Sequence, residues 1–179
     1  MASSTGRLEG KVALITGGGS GIGLAWASAF VQDGANVLIM GRNLEKLEQA
    51  VKHLQSLVKD TGELRDTRVS FHQGDVGNED DVAAAVAKAS IDDCLDITVA
   101  NAGIGGLSPI LATDADKWDQ IMQTNLSGTF YTIKHAGIKM SRSGGGAICA
   151  ISSIAGIKTH QYMAPYCVSK AGIDMLVRN

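Results

Sequence analysis

Five short apolar runs alternate with amphipathic stretches along this chain, and that alternation constrains its fold more than any other feature. The runs lie at residues 12–15, 36–40, 67–72, 97–100 and 147–151. Short continuous runs of this kind read as strands buried on both faces. Between them, residues 21–33 place Ile22, Ala25, Trp26, Ala29 and Phe30 on one helical face, and Gly34 follows where a helix would end. Residues 44–59 repeat Leu44, Leu47, Val51, Leu54 and Val58 at helical steps. Residues 78–90 open with Glu79-Asp80-Asp81, which suits the positive end of a helix. Residues 114–139 predict one long helix with Trp118, Ile121, Met122, Asn125, Leu126, Thr129 and Ile133 on one side. A Gly144-Gly145-Gly146 turn precedes the fifth run, and residues 162–178 predict a last helix. The alternation predicts an α/β fold, a doubly wound parallel sheet with helices on both faces.

Size and composition remove several function classes. At 179 residues the chain has the length of one domain, read as a polar N-terminal tail over residues 1–10 and a single folded unit over 11–179. Hydrophobic residues make up 45% and charged residues 19%, with a net charge of -2, so no basic excess points to nucleic acid. No apolar run reaches the length of a membrane span. The first ten residues lack the apolar core of a signal peptide. Cys94, Cys149 and Cys167 form no C-x-x-C pair and read as reduced thiols of a cytoplasmic protein. The four histidines show no ligand spacing, and no metal site is expected.

The first run passes into Thr16-Gly17-Gly18-Gly19-Ser20-Gly21-Ile22-Gly23 and then into a helix. A strand-to-helix turn aims free backbone N–H groups and the positive end of a helix at whatever lies above it. A dinucleotide pyrophosphate fits there, and glycines keep side chains out of its way. The spacing is G-x-x-x-G-x-G, and no lysine follows to make a P-loop. At the end of the second run, where a carboxylate would bind ribose hydroxyls, stands Gly41, followed by Arg42. An arginine without that carboxylate favours a 2′-phosphate, so NADP(H) is expected over NAD(H). The alternative for Arg42 is a solvated surface residue.

Tyr166 and Lys170 are four residues apart on an expected helix and share a face. A free tyrosine titrates near pH ~10, too high for easy proton exchange at neutral pH. A neighbouring ammonium favours the phenolate and makes such a pair a usable acid/base for a carbonyl oxygen. The pair alone is a weak signal, better matched by a core tyrosine and a surface lysine.

Taken in order, Thr16 to Gly23, Asp75-Val76, Asn101-Ala102-Gly103, Asn125, Ser152-Ser153, and Tyr166 with Lys170 resemble the short-chain dehydrogenase/reductase family, in its non-extended, Rossmann-like branch. The resemblance runs from Lys11 to about Arg178. It implies a sheet in the order 3-2-1-4-5 and a cofactor held by Gly17, Gly19, Ser20, Gly21, Ile22 and Gly23. Arg42, Asp75 and Val76 would flank its adenosine end, and Asn101, Ala102 and Gly103 would line it. Tyr166 would be the catalytic acid/base, with Lys170 tuning it and holding the nicotinamide ribose. Ser153 would bind the substrate oxygen, and Asn125 would hold a water that completes a proton relay. The implied activity is NADP(H)-linked interconversion of a carbonyl and an alcohol, with an acyl thioester as one substrate class. A homotetramer built on the helices carrying Asp114 and Tyr166 is also implied.

Two departures stand out. Ala100 replaces the first asparagine of the family's usual Asn-Asn-Ala-Gly. Relatives also continue through two more strands and a substrate loop beyond the position of Asn179, so the domain is expected to be C-terminally incomplete, with the fifth strand a bare apolar edge. Two other readings compete with the enzyme: a truncated nucleotide-binding module without turnover, and a sugar-nucleotide epimerase or dehydratase of the extended branch.

Overall fold

The five apolar runs pair side by side, all parallel, in the order β3-β2-β1-β4-β5. The computed structural model describes residues 6–58 and 68–179. Its strands are β1 (Val12–Thr16), β2 (Asn36–Gly41), β3 (Val69–Gln73), β4 (Ile97–Ala100) and β5 (Ala147–Ala150). The helices are α1 (Gly21–Gln32), α2 (Leu44–Leu57), α3 (Glu79–Ala89), α4 (Ala115–Met122), α5 (Gly128–Arg142) and α6 (Ala164–Leu176). β1 is central and buried along its whole length, with Leu14 opposite Leu38 on one side and Thr98 on the other.

Alternate residues of the strands feed two cores, as the pleat requires. Ala13, Ile15, Val37 and Ile39 pack with Ala27 and Val31 of α1 and Leu47 and Leu54 of α2. Val12, Leu14, Leu38 and Met40 pack with Val82 and Val86 of α3 and Ala136 and Met140 of α5. Helices therefore cover both faces, and the predicted architecture and strand order hold. Among the described residues, no helix is long and apolar enough to cross a membrane.

Several local expectations are corrected. Of the face expected on α1, Trp26 and Phe30 pack partly buried against the core, whereas Ile22, Ala25 and Ala29 are exposed. Ile22 is 64% exposed, and the buried residues are Gly23, Ala27 and Val31. Two small residues let the helix axis come close to the sheet, which outweighs the larger side chains in choosing the face. The long helix expected over 114–139 is broken by a π turn at Gln123–Ser127, between α4 and α5. The last helix begins at Ala164, because Tyr162 has φ 61° and cannot be helical. Within the stretch read as a polar tail, the Leu8 N–H donates to the Asp33 carbonyl at 2.9 Å, and Arg7 pairs with the Asp33 carboxylate at 2.7 Å. Lys59 and Thr67, the expected limits of the second helix and third strand, lie outside the described residues. β5 forms one edge of the sheet with Ala147 and Cys149 exposed.

Candidate active site

All five strands point their C-terminal ends at one side of the sheet. The strand order reverses at β1, so the chain leaves β1 and β4 in opposite directions and opens a crevice between them. Thr16 pins the two loops together there. Its hydroxyl accepts the N–H groups of Asn101 at 3.0 Å and Ala102 at 3.1 Å, and Asn101 Nδ2 donates to the Thr16 carbonyl at 2.9 Å.

The glycine turn fills one wall. Gly17 and Gly21 have φ 67° and 54°, the left-handed region that glycine enters at no steric cost. Gly23 is required by packing, since a Cβ would lie 2.6 Å from Asn101 Nδ2 and collide with the Gly17 carbonyl. The N-terminus of α1 is left open: the Ser20 side chain makes no capping bond, and the first turn carries no acid. By contrast Asn43, Asn78 and Asp114 each cap their helices with a side-chain oxygen. The unpaired amides and positive end of α1 thus remain available to an anion.

A cavity of about 690 Å³ runs along the strand ends. β2 and β3 lie on one side of β1, so Arg42, Asp75 and Val76 form one end of it. β4 and β5 lie on the other, and Ser153, Tyr166 and Lys170 form the opposite end. Gly17, Ser20 and Ile22 line the middle, with Asn101, Ala102 and Gly103 facing them. Four expected residues stand off this wall. Gly19 turns towards Leu47 of α2, Gly21 opens to free space, Gly23 supports the turn from beneath, and Asn125 sits behind Ile104. The sequence reading missed Ile104, Gly105, Thr124 and Met163, which also line the cavity. Ile104 and Gly105 follow directly on Asn101-Ala102-Gly103, and that adjacency was the available signal. Nothing in the local pattern marked Met163.

At the first end Arg42 and Asp75 approach to 3.6 Å, with both side chains about half exposed. That distance is too long for a hydrogen bond, and exposed pairs of this kind contribute little. Arg42 is accordingly free to take another anion.

At the second end the groups are buried and tied. Lys170 is 4% exposed, and its Nζ donates to the Ile151 carbonyl at 2.7 Å. The ammonium lies 5.7 Å from the centre of the Tyr166 ring. Burial pushes the Lys170 pKa below its ordinary value, partly opposed by the carboxylate of Asp174. Ser153 Oγ accepts the Ala155 N–H at 3.1 Å, capping a short 3-10 turn and leaving its own proton to donate. Asn125 is fully buried in the π turn. Its Nδ2 donates to the Ile104 carbonyl at 2.9 Å and to Ser169 Oγ at 3.0 Å, and its Oδ1 accepts the Ile104 N–H at 2.8 Å. Both amide protons are engaged, so the side chain has none left for a water.

The sequence profile of the short chain dehydrogenase family matches residues 11–179. The D-threitol dehydrogenase of Mycolicibacterium smegmatis is 37% identical over 171 residues, covering 93% of this chain and 62% of that protein. A 3-oxoacyl-(acyl-carrier-protein) reductase of Chlamydia muridarum is 38% identical over 168 residues, covering 93% and 64%. The solved structure of a short-chain type dehydrogenase/reductase from Mycobacterium ulcerans matches with a TM-score of 0.86 at 37% identity, covering 94% of this chain and 60% of that one. This chain spans less than two thirds of the length of several of the curated relatives it matches, 62% and 64% in two of them.

Proposed function

This chain belongs to the short-chain dehydrogenase family, and on that premise we propose that it is an NADP(H)-dependent oxidoreductase interconverting a carbonyl and an alcohol. One observation carries the reading: a single cavity joins the uncapped N-terminus of α1 to Ser153, Tyr166 and Lys170. Residues 11–179 then act as one dinucleotide-binding catalytic domain.

The residues present fit a nicotinamide dinucleotide. The open amides of α1 and the bare backbone at Gly17 suit a pyrophosphate that side chains would obstruct. Arg42, beside a Gly41 that brings no carboxylate, suits a 2′-phosphate and supports NADP(H), with NAD(H) the alternative. Asp75 and Val76 would flank the adenine. When bound, the reduced nicotinamide supplies the hydride that reaches the carbonyl carbon.

The chain's own groups handle the oxygen. Tyr166 gives its phenolic proton to the carbonyl oxygen during reduction and takes one back during oxidation. Ser153 donates a hydrogen bond to the same oxygen and holds it in place. The buried charge of Lys170 stabilises the phenolate that Tyr166 becomes. Asn125 acts on the site by fixing Ile104. It does so from a π turn, a feature that recurs at functional sites.

Substrates are small carbonyls or alcohols, with an acyl thioester included by analogy with the reductase relative. Exposed Phe130 and Ile138 of α5 and Val168 and Met175 of α6 support a homotetramer built on those helices. Three free cysteines support a cytoplasmic setting. Steady-state loss of NADPH with a panel of ketones and aldehydes tests the proposal. Turnover is expected, and bound NADPH without turnover of any carbonyl contradicts it.

A further inference from the structure

The substrate end of the cavity is walled by two irregular segments, residues 103–108 after β4 and residues 160–163 before α6. They are laced at one point. The Ser108 N–H donates to the Tyr162 carbonyl at 2.6 Å, and Ser108 and Met163 form an isolated parallel bridge. The first segment is held from behind through the Asn125 bonds to Ile104. The second turns at Tyr162, whose φ of 61° is a left-handed conformation that a bulky residue enters at a steric cost. Such strain persists only where its surroundings fix it, and it collects at functional sites.

The bend separates two neighbours. Tyr162 is 61% exposed and lines an outer cleft with Ile110, Leu111 and Val168. Met163 lines the inner cavity together with Ser153 and Tyr166. Ile104 and Ile151 line the same end. Two neighbouring polar side chains spend donor hydrogens within the chain. Ser152 Oγ donates to the Lys170 carbonyl at 3.2 Å, and Asn101 Nδ2 is held by the Thr16 carbonyl at 2.9 Å. Ser153 and Tyr166 serve the reacting oxygen. Beside them this chain presents the apolar side chains of Met163, Ile104 and Ile151 to the carbon substituents of the substrate.

We propose that Met163 sets substrate choice and that the substrate is a ketone or secondary alcohol bearing an aliphatic arm, not a polyol. The inference rests on the oxidoreductase reading above. An apolar wall of this kind gains from each buried methylene and offers a hydroxylated arm nothing in exchange for the water it loses there.

The test compares kcat/KM for NADPH-linked reduction of methyl hexyl ketone and dihydroxyacetone, with NADPH Kd from fluorescence titration of each variant. The parent chain and Met163→Leu prefer methyl hexyl ketone by about tenfold or more. Met163→Gln loses about tenfold in kcat/KM for that ketone, mostly through KM, while its NADPH Kd is unchanged. Tyr162→Gly accepts the left-handed bend and keeps the preference. Tyr162→Pro, with φ held at about −65°, loses it. Equal use of the two carbonyls by the parent chain, or a Met163→Gln ratio equal to the parent's, overturns this inference and leaves the oxidoreductase reading standing. Turnover of neither these nor any other carbonyl, with NADPH bound, overturns both.

Discussion

Asn125 grips Ile104 by both of its backbone polar atoms, accepting the N–H at 2.8 Å and donating to the carbonyl at 2.9 Å. A side chain on the π turn thereby does for the loop after β4 what a neighbouring strand does for β4 itself. Asn125→Ala leaves both backbone groups and Ser169 Oγ without this partner. The expected loss of stability is about 2–4 kcal/mol. Urea unfolding measures it, and a variant as stable as the parent contradicts the clamp.

Gly23 stands where α1 meets the glycine turn. A methyl group there collides with the Gly17 carbonyl and the Asn101 amide. Gly23→Ala is expected to cost about 1–3 kcal/mol and to weaken NADPH binding by displacing the turn. Thermal unfolding and fluorescence titration check the two effects. Undisturbed binding contradicts the close packing.

Gly41 offers room for a different cofactor. A Cβ at this position would meet Leu47 Cδ2 at 3.5 Å, an ordinary contact, and its φ is not left-handed. Gly41→Asp therefore fits, and its carboxylate repels a 2′-phosphate while offering acceptors to ribose hydroxyls. NADPH Kd is expected to rise about tenfold or more, and NADH to bind more tightly. Unchanged NADPH affinity contradicts the placement of the phosphate beside Arg42.

Lys170 makes stability depend on pH. Burial holds its folded-state pKa below the ordinary value of about 10.4. Between those two values the unfolded chain binds more protons, so this residue makes stability rise with pH across that window. Below both values the buried charge is a constant cost. Lys170→Met removes the charge together with the Ile151 carbonyl's donor, and its stability relative to the parent is expected to be most favourable near neutral pH. That relative stability falls as pH approaches about 10. Urea unfolding at a series of pH values decides it, and a gap that does not change with pH contradicts the assignment.

The sheet was legible because its evidence is local. The apolar runs around Leu14, Leu38 and Val99 need no partner to be recognised as strands. The positions of Ser153, Tyr166 and Lys170 on one cavity were likewise foreshadowed by their spacing and order. What stayed hidden depends on contacts distant in sequence. The π turn at Gln123–Ser127 shares the apolar periodicity of an ordinary helix. What accompanies its widening is tertiary: Asn125 reaches Ile104 and Ser169. The most buried line of α1 was not legible because the apolar periodicity runs through Ile22, Trp26 and Phe30, whereas closeness to the sheet selects Gly23 and Ala27. Met163 escaped notice because its place follows from the left-handed turn at Tyr162, which the sequence around it does not announce.

Tyr166→Phe tests the central claim most directly, with NADPH Kd and NADPH-linked ketone reduction measured on the same preparation. The account predicts a parent chain that turns over and a variant that binds NADPH equally well but reduces the ketone at least about a hundredfold more slowly. A Tyr166→Phe chain that keeps its turnover would contradict the account, because no other group at this end of the cavity is assigned to protonate the oxygen.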